Sequence, residues 1–206
     1  MTKTNKNPSF KFEQLLWQKG YKQIVGLDEV GRGSFAGPLV AAAVILPRSF
    51  KINGIKDSKL LSPQKREILS KYIIENALFY SISEVSVEYI NKFGVGMATL
   101  RAFLNCLKKL DQKFDFVLVD GFMIKTFDKT MQKGIIHGDR FSVSIAAASI
   151  VAKVYRDNLM VKLHESYPLY DFAKNKGYGT KDHRDALKKS GLCKIHRTSF
   201  DLAKFL

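Results

Sequence analysis

Four acids stand out by type and position: Asp28, Glu29, Asp120 and Asp139. Asp28 and Glu29 follow the apolar run Ile24-Val25-Gly26-Leu27, and Asp120 closes Phe116-Val117-Leu118-Val119 just before Gly121. Asp139 sits in Gly138-Asp139-Arg140, ahead of a long apolar-faced segment. In layered α/β sheets, ligands bind at the carboxyl ends of strands, so acids placed there form a candidate site. Each acid also has a plainer reading. Asp beside Gly is common in turns, and an acid near a helix N-terminus stabilises the dipole without further purpose. Taken together, carboxylates from distant segments, with no CxxC and no paired histidines, point to hard cations with oxygen ligands, Mg²⁺ or Mn²⁺. In a basic protein the matching chemistry is phosphodiester hydrolysis, with two ions roughly 3.5–4 Å apart clamping the attacking and leaving oxygens.

The residues around the acids suit a phosphate-bearing ligand. Gly31-Arg32-Gly33 allows close backbone approach, and its arginine offers a forked donor. Neighbouring strand residues point to opposite faces, so Asp28 and Glu29 are expected to share one site by a break of the strand at Glu29. Lys59, in Asp57-Ser58-Lys59, is either a phosphate contact or a solvated loop lysine. His183 and His196 lack zinc spacing and read as surface or phosphate-contact residues. Tyr155, Tyr167 and Tyr170 read as packing or surface residues. The lysines and arginines between Lys174 and Lys194 are a solvated face or a backbone-tracking groove.

The elements that must carry these residues follow from periodicity. Residues 1–22 form a basic lead-in with a short helix around Phe10, Phe12, Leu15, Leu16 and Trp17, and residues 23–206 form the main domain. Strands are expected at 24–28, 39–46, 79–87 and 116–119. The second is nearly all apolar, as a strand buried on both faces would be. Ser62-Pro63 reads as an N-cap and N1 pair, opening a helix that buries Ile68, Leu69, Tyr72 and Ile73. Further helices are expected at 97–110, with Leu100, Phe103, Leu104 and Leu107 on one face, and at 142–164, ended by Pro168. The stretch Ala146-Ala147-Ala148-Ser149 would let the last helix pack close to neighbouring backbone. A basic loop is expected between Asp120-Gly121 and that helix. Strands alternating with helices give a layered α/β domain.

Composition narrows the classes. Lys and Arg number 34 against 19 Asp and Glu, for a formal net charge of +15. Such a balance favours a nucleic-acid partner. Two cysteines without a metal or disulfide pattern fit a reducing compartment. There is no apolar run of membrane-spanning length and no apolar core behind the N-terminal lysines. The expected protein is a cytoplasmic monomer with no membrane partner and no small-molecule cofactor. A non-catalytic basic nucleic-acid binder explains the charge but not the acids. A nucleotide switch would need GxxxxGK[ST], which is absent.

The motifs in order resemble one family. IVGLDEVGRGSFAGPLVAAAVILP resembles the opening of ribonuclease HII, and the similarity continues through DSKLLSPQKRE, VDG, HGDRFSVSIAAASIVAKVYRD, YPLYDFAKNKGYGTKDH and HRTSF. It covers nearly the whole chain from residue 22. The resemblance implies a ribonuclease H-like fold: a mixed five-stranded sheet flanked by helices, with a small helical C-terminal part that helps bind substrate. It implies a metal-dependent endonuclease acting on RNA paired with DNA and on single ribonucleotides in duplex DNA. Cleavage would fall on the 5′ side, leaving 3′-hydroxyl and 5′-phosphate ends. The family's catalytic and metal-binding acids fall on Asp28, Glu29, Asp120 and Asp139. Its element that senses the ribose 2′-hydroxyl falls on Gly31, Arg32 and Gly33, and its junction-reading tyrosine on Tyr178. The chain departs from the family at Asn175, where His is common, and at Asp171, where Gly is common. The short segment ahead of Ile24 favours type HII over type HIII, which carries an added N-terminal domain.

Overall fold

The computed structural model describes residues 7–206 except 52, 53, 56, 57, 59 and 60. Lys59 therefore lies outside the described residues. One five-stranded sheet organises the chain, in the order β3-β2-β1-β4-β5. Its strands are β1 (Ile24–Val30), β2 (Leu39–Ile45), β3 (Phe79–Val85), β4 (Phe116–Asp120) and β5 (Gln132–Ile135). β1, β2 and β3 pair antiparallel, whereas β4 joins β1, and β5 joins β4, in parallel. The sheet is mixed, as the resemblance implies.

Both faces are covered. Leu39, Ala41, Ala43 and Ile45 of β2 pack with Val25 and Leu27 against α3 (Val87–Lys109), through Phe103, Cys106 and Leu107. The alternate residues Val40, Ala42 and Val44 pack against α2 (Pro63–Asn76) and α4 (Val143–Ser166). That alternation is why β2 needs apolar side chains at every position. Helix α4 comes very near β1. A Cβ on Gly26 would lie 2.0 Å from the main-chain carbon of Ser144. Ala146, Ala147 and Ala148 are buried beside this contact, so small residues do bring the helix onto the strand.

Helix α1 (Lys11–Gln18) is stitched to the start of α4. Ser9 donates to the Phe141 carbonyl and accepts from Val143 N–H. Glu13 is fully buried and accepts from the Ser142 hydroxyl at 2.6 Å and from Ser144 N–H at 3.0 Å. The C-terminal part holds α5 (Phe172–Asn175) and α6 (Lys181–Ser190) and packs through Phe172, Leu187, Tyr170 and Met160.

Several boundaries differ from expectation. β1 does not break at Glu29 but runs to Val30, paired there with β2. Val87 starts α3 rather than ending β3, because the Ser86 hydroxyl accepts from Tyr89 N–H and caps a helix. The expected 97–110 helix is the second limb of α3, which kinks at Gly94 (φ 80°). In α2, Ser62 caps as expected, but Ile68 faces solvent at 69% exposure. β5 replaces part of the expected loop; four residues that include a glycine carry no readable alternation.

Candidate active site

Asp28, Glu29, Asp120 and Asp139 line one cleft of about 490 Å³. Gly31, Arg32, Gly33 and Tyr178 line it too. The topology explains the convergence. The parallel pairing of β1 with β4 ends at Leu27 and Val119, so the next residues, Asp28 and Asp120, stand side by side at the sheet's carboxyl edge. Asp28 lies on the same face of β1 as Gly26, which is the face α4 covers. Glu29 leaves the opposite face and still reaches the cleft, because β1 has there outrun its pairing with β4. Asp139 comes from the 3₁₀ turn Gly138–Arg140, held just before α4. Gly138 N–H donates to Asp120 Oδ1 at 2.6 Å and ties that turn to β4.

The acids crowd one another. Burial raises the Asp28 carboxyl well above the usual range, and the charges of Glu29, Asp120 and Asp139 add to the effect. A hydrogen bond with Ser149 acts the other way. Asp28 Oδ1 also accepts from Glu29 N–H at 2.7 Å. Among the described residues, no three or more His, Cys, Asp or Glu side chains already converge to hold an ion. The donor set is nonetheless all oxygen, and beyond burial the charges of Glu29, Asp120 and Asp139 bear on Asp28, a crowding that a hard cation would relieve.

The remaining predicted residues take distinct places. Arg32 is exposed and lies 3.7 Å from Glu29 and 5.4 Å from the Phe122 ring centre. Gly31 (φ +87°) has no room for a Cβ, which would meet Arg156 Nε at 2.2 Å, whereas Gly33 has open space. Tyr178 is half-buried, with Lys153 Nζ and Arg156 Cζ each 5.4 Å from its ring centre. Asp171 adopts φ +50°, the left-handed conformation a family glycine takes freely, and Asn175 braces the next turn through Tyr170 O and Gly177 N–H. His183 and His196 are buried, not on the surface, with their Nε2 atoms 3.0 Å apart.

Sequence reasoning missed Ser58, Ser149 and Lys153, which also line the cleft. Ser58 and Ser149 hydroxyls lie 3.1 Å apart, and Lys153 pairs with Asp157 at 2.8 Å. Lys153 lies four residues after Ser149 on α4, so helical spacing from that serine could have found it.

The sequence profile of ribonuclease HII matches residues 25–203. The chain belongs to the ribonuclease HII family. Ribonuclease HII of Caldicellulosiruptor bescii is 47% identical over 191 residues, covering 93% of this chain and 92% of that protein. The solved ribonuclease H2 of Pyrococcus horikoshii superposes with a TM-score of 0.72 at 25% identity, over 88% of this chain and 95% of its own. Bst-RNase HIII, solved in complex with Mn²⁺, shares the fold (TM-score 0.72, 18% identity, 89% of this chain and 68% of its own). Membership makes the chain a ribonuclease of the class that degrades RNA in RNA–DNA hybrids, and removes the non-catalytic nucleic-acid binder from consideration.

Proposed function

We propose that the cleft is the active site of a divalent-metal nuclease that cuts on the 5′ side of a ribonucleotide, in RNA–DNA hybrids and at single ribonucleotides in duplex DNA, leaving 3′-hydroxyl and 5′-phosphate ends. The observation that carries this reading is the meeting of Asp28, Glu29, Asp120 and Asp139 in one cleft with Gly31, Arg32, Gly33 and Tyr178. The four acids would hold Mg²⁺ or Mn²⁺; bound there, the ions would activate a water and stabilise the leaving oxygen. The fold relative with Mn²⁺ supports a divalent ion of this kind.

The chain's own residues do the rest. Main-chain groups at Gly33 have open space for a ribose 2′-hydroxyl, which is both donor and acceptor. Arg32 sits on the rim, where its fork can meet a phosphate. Tyr178 offers a flat ring, which favours a sugar lacking a 2′-hydroxyl. Lys59 would add a phosphate contact. The substrate is RNA–DNA hybrid or ribonucleotide-bearing duplex, and the enzyme works as a cytoplasmic monomer. Two free cysteines fit that compartment, and among the described residues no helix is long and apolar enough to cross a membrane.

The test is incubation with a DNA duplex holding one ribonucleotide. Cleavage is expected with Mg²⁺ or Mn²⁺ and is lost on adding a chelator. Asp28→Asn, Asp120→Asn and Asp139→Asn should each abolish it in a folded protein, since the amide keeps the shape but not the charge. Near-normal turnover in any two of these variants would overturn the four-acid site.

A further inference from the structure

Two arginines are fully buried, Arg156 on α4 and Arg197 near the C-terminus. Their six described hydrogen bonds all end on main-chain carbonyls. Arg156 donates from Nε to Pro38 O at 2.9 Å, from Nη1 to Lys176 O at 2.8 Å and from Nη2 to Ala36 O at 3.1 Å. Arg197 donates from Nε and Nη2 to Gly37 O at 3.0 and 2.8 Å, and from Nη1 to Arg32 O at 3.0 Å. Both guanidinium groups are costly to bury. Burial lowers the Arg197 pKa, and the like charge of Arg156 lowers it further.

Their contacts reach both elements assigned to substrate reading. Arg156 lies under Gly31, where no side chain fits, and beneath the Tyr178 ring. Its bond to Lys176 O fixes the turn two residues before Tyr178. Arg197 holds the carbonyl of Arg32 itself. The segment that leaves the 31–33 turn also bonds the Tyr178 turn directly, because Phe35 N–H and Ala36 N–H both donate to Gly177 O. A planar fork can satisfy carbonyls in several directions at fixed angles, and a lysine cannot.

We propose that Arg156 and Arg197 are positioning residues that lock the 31–33 turn to the Tyr178 turn and so set how strongly the enzyme prefers a ribose-to-deoxyribose junction over continuous hybrid. This rests on the reading of Gly31-Arg32-Gly33 and Tyr178 given above. Loosening the brace leaves the acids in place but lets the two reading elements drift apart. The cost then falls on the substrate that needs both at once.

The experiment compares kcat/KM on a duplex with one embedded ribonucleotide and on a continuous RNA–DNA hybrid, for wild type, Arg156→Lys, Tyr178→Ala and the double variant. Arg156→Lys is expected to lower the ratio of the two by about tenfold, and to lower it no further once Tyr178 is Ala. An equal loss on both substrates beside a reduced ratio in Tyr178→Ala would overturn the brace alone. An unchanged ratio in Tyr178→Ala would overturn the reading beneath it, and the proposal with it. Should Arg156→Lys not fold, Arg197→Lys carries the same comparison. Amide exchange of the wild-type protein adds a measurement free of variants: Phe35 and Tyr178 should open as one unit, with protection equal to within about threefold. Independent opening of the two turns would overturn the proposal.

Discussion

Asp28 carries the site's electrostatic tension, and that tension is measurable. Its folded-state pKa is raised, by burial first and by Glu29, Asp120 and Asp139 after it. The unfolded chain releases this proton at lower pH than the folded one does. Folding stability is therefore lost as pH rises from the ordinary carboxylate range through the raised value. Asp28→Asn should raise the melting temperature of the metal-free protein at neutral pH, by about 2–4 °C for each kcal/mol relieved. Millimolar Mg²⁺ or Mn²⁺ should raise the wild-type melting temperature and shift the variant less. A variant that melts lower than wild type without metal would contradict the crowding. The acids could be read in the sequence because each ends an apolar run or precedes a helix. Arg156 and Arg197 could not, because their partners are main-chain carbonyls, which leave no residue pattern.

At the scale of elements, the contact between α4 and β1 sets the geometry of the cleft. Gly26 is the position where helix and strand backbones meet, and Asp28 follows on the same face. Gly26→Ala should destabilise the protein by about 3 kcal/mol, the upper end of ordinary overpacking, because main chain and not a flexible side chain stands in the way. Thermal unfolding checks this, and a melting temperature equal to wild type would show that α4 can retreat at little cost. Apolar runs revealed the strands of the sheet's middle, and the Ser62-Pro63 signature revealed the start of α2. The first limb of α3 was hidden, because a glycine-broken helix imitates a turn. The tie between Glu13 and the start of α4 was hidden too, since it joins residues 129 apart in sequence.

For the whole molecule, charge and the docking of the C-terminal part give two further expectations. If the basic surface meets about five phosphates, substrate affinity should fall with salt at a log–log slope of about −4 to −5. A flat dependence would show that this surface is not the binding face. The C-terminal part is closed by His183 and His196, which meet at their Nε2 atoms while His183 Nδ1 faces Tyr178 O. Burial lowers both pKa values, that of His196 to about 4. Neutral rings are thus favoured in the fold, so stability is full above the ordinary histidine range and declines as pH falls through it toward 4. The imidazole signals of His196 should remain those of a neutral ring at about pH 5, and protonated signals there would refute this. The parallel seam between β1 and β4 has one more consequence. β1, β2 and β3 are neighbours in sequence and can pair as the chain emerges from the ribosome, but β1 waits for a partner that begins at Phe116. Until then two of the four acids are present and no cleft exists to hold them. The proposed site is therefore completed late in the chain, when β4 has paired with β1 and α4 has packed over the seam.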